Sequence, residues 1–200
     1  MGNVFETECK SFMDKGAHKL NPPLFLSQMI ERMFRSPFVL YSAIKKVVAE
    51  YLTFTYLLKK KDFLKLAEDV FGLHPLEDGL KMYKQFKVVN SQGKKLVNVL
   101  EILSVIVLLS NFGQSNEKDL LHNSELIEHK INLLMILFDL RDECKVNVVE
   151  VMLLCRTVLQ GFTKVYPTVK FFSNPVIMTE IQPCIMDLFT AKIEAQVKLE

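Results

Sequence analysis

The chain has 200 residues, half of them hydrophobic and 24% charged, enough for one domain or two small lobes and too apolar for a disordered segment. Its 25 basic and 23 acidic residues leave a net charge of +2, which gives no electrostatic footprint for nucleic acid. The most hydrophobic stretch, residues 96–109, is interrupted by Asn98, Glu101 and Ser104; it is too short and too polar to span a bilayer and reads as a buried helix.

Residues 1–23 read as an N-terminal arm, with a short helix around Glu6–His18 ahead of Asn21-Pro22-Pro23. The polar start Met1–Lys15 lacks the apolar core of a signal peptide. Met1-Gly2-Asn3 offers a glycine for myristoylation, but Glu6 stands where that motif wants Ser or Thr. Leu26, Met29, Ile30 and Met33 share one face of a helix predicted over about 24–35. Ser36-Pro37 separates it from a second over about 38–52. A third, about 62–71, carries Phe63, Leu66 and Val70 inward and stops at Gly72; Pro75 starts a fourth that runs to about Val89. After the loop Asn90–Glu101 a helix continues to about Phe112. The polar, unperiodic stretch 113–124 reads as a linker between lobes. Ser124 caps a long helix over about 125–138, the loop Asp139–Glu150 follows, and its exit helix reaches about Val165. A last helix is predicted over roughly 178–197. The expected organisation is an arm (1–23), an N-terminal lobe (24–112), the linker (113–124) and a C-terminal lobe (125–200).

The two loops repeat one pattern. Each follows a helix closing on apolar residues at −4 and −1 (Phe86 and Val89; Met135 and Phe138). Each carries an Asx at position 1, an aliphatic at 8, asparagine at 9, aliphatics at 10 and 11 and glutamate at 12. Helix, twelve-residue loop, helix in that register resembles the EF-hand. The competing reading is an unrelated helical bundle, since an apolar residue followed by Glu is common in helices. Paired hands exchange backbone hydrogen bonds near position 8, so the only strands expected are a few residues there. The partner expected for Val97 is the segment around Leu58, with Asp62 at the equivalent of position 12. The partner for Val146 is expected between Val169 and Ile177.

Calcium needs about six to eight oxygens, mainly from loop positions 1, 3, 5, 7, 9 and 12, with glycine at 6. The first loop puts Asn90, Gln92, Lys94, the Leu96 carbonyl, Asn98 and Glu101 there, with Lys95 at the turn; lysines inside a cation site repel the ion. The second has Asp139, Arg141, Glu143, the Lys145 carbonyl, Asn147 and Glu150, with Cys144 at the turn, a residue whose Cβ disfavours positive φ. Neither loop is expected to bind calcium at physiological concentration. If one did, Asp139, Glu143, Asn147 and Glu150 would be the ligands. No other metal or cofactor is implied.

Within that superfamily, Lys61-Asp62-Phe63, Val70-Phe71-Gly72, Phe86 and Val97-Asn98-Val99-Leu100-Glu101 resemble the calaxin group, EF-hand subunits associated with ciliary outer dynein arms. The likeness covers about residues 55–160; elsewhere it is generic to the group containing calcineurin B and the neuronal calcium sensors. It implies an all-α fold of helix-loop-helix pairs in two lobes. It also implies a structural place on an axoneme, a microtubule-associated assembly in a cytoplasmic or ciliary compartment. Calcium responsiveness does not carry over, because relatives have acidic, glycine-containing loops and this chain does not.

Catalysis has little to rest on: no nucleophile, zinc-protease, Walker or dinucleotide fingerprint is present. His122, Glu125 and His129 could share a helix face as two histidines and a carboxylate, but a solvated face explains them better. Cys9, Cys144, Cys155 and Cys184 are scattered, fit reduced cytosolic thiols and read as small buried hydrophobes at 155 and 184. Nine methionines and fifteen phenylalanines mostly fill a core, but they also suit a groove holding a partner's amphipathic helix. The expected function is therefore a non-enzymatic scaffold subunit bound to other protein subunits, with no nucleic acid and no membrane partner. The alternative is a calcium sensor tethered through Gly2, which requires the 139–150 loop to bind metal.

Overall fold

The computed structural model describes residues 22–51, 56–112, 120–140 and 145–168, together with Thr179 and Pro183. The arm helix, the strand partner expected for Val146 and nearly all of the last helix lie outside the described residues. The chain divides into two compact units, Pro22–Leu137 and Met1–Asn21 with Phe138–Glu200. Among the described residues the fold is mostly helical with one small antiparallel sheet.

In the first unit α1 (Leu24–Met33) and α2 (Pro37–Tyr51) come first. Leu26, Met29 and Ile30 of α1 are buried, as their spacing requires. Proline opens α2, where a missing N–H costs nothing, and Leu40, Ile44 and Val47 form its buried stripe. Strand β1 (Leu57–Lys59) leads without a break into α3 (Lys60–Asp69), which buries Phe63, Leu66 and Ala67. Just beyond α3, Gly72 takes φ +57°, and a Cβ there would meet the Met33 side chain at 3.1 Å. The reversed chain lets the Leu73 N–H reach the Ala67 carbonyl at 3.0 Å, and the Gly72 carbonyl accepts from Arg32 at 3.0 Å. Glycine is the residue that allows both.

The helix expected from Pro75 to Val89 is three elements. A π-helical turn covers Pro75–Gly79, α4 covers Leu80–Phe86, and Lys87–Val89 is strand β2. The apolar spacing through Phe86 is helical, but the valines at 88 and 89 are β-branched and find a strand to pair with. That strand is β3 (Lys95–Asn98), which runs directly into α5 (Val99–Leu109). The hydropathy of 96–109 puts Leu96 and Val97 in a buried helix and the loop spacing puts Val97 in a short strand; the strand is what forms, and the helix begins only at Val99. Every residue from Val99 to Val107 is buried, so α5 is the axis of this unit's core, and α1 packs against it. Its buried hydroxyls are satisfied locally: Ser104 donates to the Leu100 carbonyl and Ser110 to the Ile106 carbonyl, both at 2.7 Å.

Helix α6 spans Leu120–Phe138. It begins upstream of Ser124, which is an exposed residue inside the helix and not its cap; strong helix formers at 120 and 121 outweigh a serine's capping preference. Lys130 donates to the Leu108 carbonyl at 2.7 Å, a cation at the carbonyl end of α5, and burial pushes its pKa down. In the second unit α7 spans Val148–Val165, with Thr157, Gly161 and Val165 buried. No helix among the described residues is long and apolar enough to cross a membrane.

Candidate functional site at the paired loops

The sheet has the order β1-β3-β2. β1 and β3 are antiparallel, with Leu57 opposite Asn98, Leu58 opposite Val97 and Lys59 opposite Leu96. The Leu58–Val97 pair is the one the loop spacing predicts; both side chains are buried, at 6% and 0% exposure. The ladder is extended by the Val99 N–H donating to the Tyr56 carbonyl at 3.0 Å. Each strand feeds straight into a helix, β1 into α3 and β3 into α5, so two strand-helix corners stand side by side.

The loop before β3 is not an open cradle. β2 pairs with β3 (Lys87–Val97, Val88–Leu96, Val89–Lys95), and residues 90–94 close a tight hairpin. The Gly93 N–H donates to the Asn90 carbonyl at 2.9 Å and the Asn90 N–H to the Lys94 carbonyl at 3.0 Å, with Gly93 at φ +73°. A four-residue turn closed by an i+3 bond and ending on a left-handed glycine makes a standard three-residue hairpin loop. The Asn90 side-chain oxygen, at loop position 1, accepts from the N–H groups of Gln92 (3.0 Å) and Lys94 (2.9 Å). Asn90-Ser91-Gln92-Gly93 between Val88-Val89 and Leu96-Val97 carries a turn signature that marks 87–89 as a strand.

At the far end of the loop, Asn98 caps α5 by accepting from the Leu100 N–H at 3.1 Å. Its amide nitrogen donates to Glu101 at 3.4 Å, and Glu101 is 3% exposed. The second loop repeats this more completely. Asn147 accepts from the N–H groups of Val149 (2.8 Å) and Glu150 (3.0 Å), and Glu150 accepts from the Asn147 N–H at 2.8 Å. The result is a full capping box on α7. Asn at position 9 and Glu at position 12 therefore recur because a helix starts there. Of the remaining conditional calcium ligands, Asp139 is half-buried and Glu143 lies outside the described residues, as do Arg141 and Cys144. Among the described residues no group of three or more His, Cys, Asp or Glu side chains converges on a metal position.

A second feature of the first unit is an open groove of about 390 Å³ lined by Phe38, Val39, Ser42, Ala43, Lys46, Asp69 and Val70. Phe38 is 82% exposed, a large aromatic surface left facing water. One end of the groove is polar and ordered: Lys46 donates to the Asp69 carbonyl at 3.3 Å, and the Tyr51 hydroxyl donates to the Asp69 carboxylate at 2.7 Å. Burial, then that hydrogen bond, pushes the Tyr51 phenol up to about 12. Elsewhere, Glu125 and His129 are exposed on α6 and the His122 side chain lies outside the described residues. Cys155 is half-buried, its thiol pushed up by burial, which leaves it a poor nucleophile.

No family model matches the chain, and no curated protein and no solved structure is significantly similar to it.

Proposed function

We propose that this chain is a non-enzymatic docking subunit built on vestigial EF-hand-like loops, held in a larger protein assembly. The observation that carries the reading is the antiparallel pairing of Leu58 with Val97, each on a strand that opens a helix. A paired-loop architecture supports EF-hand descent, and the use made of the loop supports its loss of metal chemistry. Position 1 is spent on a turn, position 9 on a helix cap and position 5 is an exposed lysine. A loop held shut by its own hairpin has no ion to respond to, so the association it serves is constitutive. The groove beside Phe38 suits an amphipathic helix of a partner subunit. The likeness to the calaxin group makes an axonemal, microtubule-associated complex the leading assembly.

The test is calorimetric titration of the purified protein with calcium in millimolar magnesium, with far-ultraviolet circular dichroism alongside. No heat and no change in helicity support the reading. Saturable binding at roughly 10⁻⁷–10⁻⁵ M, the range of sensors, sinks it in favour of a calcium sensor acting through Asp139, Glu143, Asn147 and Glu150.

A further inference from the structure

The outer edge of β2 is an open backbone template. In an antiparallel ladder the residues alternate between bonding inward and facing out. Asn90 bonds inward to Lys94, so Val88, opposite Leu96, bonds inward too. The N–H and carbonyl of Val89 and the carbonyl of Lys87 face away from β3, while the Lys87 N–H closes α4 on the Tyr83 carbonyl. Among the described residues no strand covers this edge. Val89 is 62% exposed.

The side chains around that edge carry one sign of charge. Lys87 and Val89 lie on one face of the sheet with Lys95, opposite Val89, and with the buried Val97, opposite Lys87; the lysines flank the edge of that face. Lys84 in the last turn of α4 and Lys94 at the hairpin are exposed as well. Among the described residues none of these four lysines has an acidic side chain within ion-pair distance, whereas the neighbouring Lys81 pairs with Asp78 at 2.9 Å. The opposite face of the hairpin, Val88 and Leu96, is half-buried and apolar. A single lysine would suffice to guard a three-residue edge against self-pairing. Four exposed lysines beside open hydrogen-bonding groups also favour an incoming strand that carries acidic side chains.

We propose that the β2 edge is a docking site for an extended acidic peptide segment of a partner protein, added as a fourth strand. The backbone of Lys87 and Val89 supplies its main-chain bonds. The alternation of the edge sets its sequence: acidic side chains on the face of Lys87 and Lys95, aliphatic ones on the face of Val88 and Leu96. Peptide is favoured over nucleic acid because the groups left open are backbone ones that only another strand matches, and because the whole chain is close to neutral at +2. The inference is independent of the loops' ancestry, since the edge exists whether or not they descend from calcium sites.

The experiment uses the full chain and a fluorescein-labelled peptide alternating glutamate with valine, followed by fluorescence anisotropy. The controls are a peptide of the same composition with its glutamates in one block, single-stranded DNA, and vesicles of anionic phosphatidylserine. Expected are saturable binding of the alternating peptide, at least about tenfold weaker binding of the block peptide, and weakening by a similar factor in about 1 M salt, where the Debye length falls to ~3 Å. Lys87→Glu should weaken binding about tenfold while the melting curve stays unchanged. Val89→Pro should do the same by removing an outward N–H, since proline is tolerated at a sheet edge; if that variant fails to fold, Lys87→Glu decides. No binding of the alternating peptide overturns the proposal. So do equal binding of the two peptides, preference for DNA or vesicles, or indifference to Lys87→Glu.

Discussion

Asn147 tests whether the repeated Asn-x-x-Glu motif starts helices or holds metal. Replacing it with alanine removes the acceptor of two backbone N–H groups, at 2.8 and 3.0 Å. Glu150 keeps its own bond to the Asn147 N–H. Losing such a cap costs about 0.5–2 kcal/mol, and two satisfied donors place this one in the upper half of that range. In a chain of this size each ~1 kcal/mol moves the melting temperature by roughly 2–4 °C. Asn147→Ala should therefore melt several degrees below the parent, and Asn147→Asp, which caps equally well, should not. A metal-holding loop makes the opposite kind of prediction. With calcium at about 100 times its dissociation constant, ligand binding adds about 2.7 kcal/mol and raises the melting temperature by roughly 5–11 °C. The assay is thermal melting by circular dichroism in calcium and in chelator. The capping account is refuted if Asn147→Ala melts with the parent in chelator. It is also refuted if calcium stabilises the parent by that amount but leaves Asn147→Ala unmoved.

Three further outcomes follow from the same geometry. Gly93→Ala should destabilise by about 1 kcal/mol, measured by urea denaturation; nothing lies within 4 Å of the added Cβ, so the cost is the φ of +73° alone, and Gly93→Asn should recover part of it. Phe63→Ala should cost about 3–5 kcal/mol, because the ring is fully buried and lies 6.1 Å from that of Tyr83; loss of less than about 1 kcal/mol would mean the unit's core is elsewhere. Tyr51 has its pKa raised from 10.0 to about 12. A folded value above the unfolded one means its contribution is complete below about pH 10 and lost as pH rises toward 12. Tyr51→Phe should remove that part of the alkaline loss of stability, and the phenolate absorbance of the parent should show a tyrosine ionising near pH 12.

Where apolar periodicity was strong, the sequence determined the element and its inward face. Leu26, Met29 and Ile30 on α1, and Phe63 and Leu66 on α3, are buried where a 3.6-residue period puts them. It also determined the register of Leu58 against Val97, because a strand residue's place is fixed by its distance from the helix it opens. Residues 87–89 were decided by strand pairing. Val88 and Val89 continue a helical pattern locally, and pairing with Leu96 and Lys95 across the hairpin turns them into a strand, since β structure takes its energy from the strand beside it. The start of α6 at Leu120 likewise overrode a plausible cap at Ser124. The loop's chemistry was settled in the same way. Asn90, Asn98 and Glu101 have the composition of ligands, but oxygens coordinate only when the backbone leaves them free. Here the nearest unsatisfied N–H groups, at the turn and at the start of α5, claimed the oxygens of Asn90 and Asn98 first.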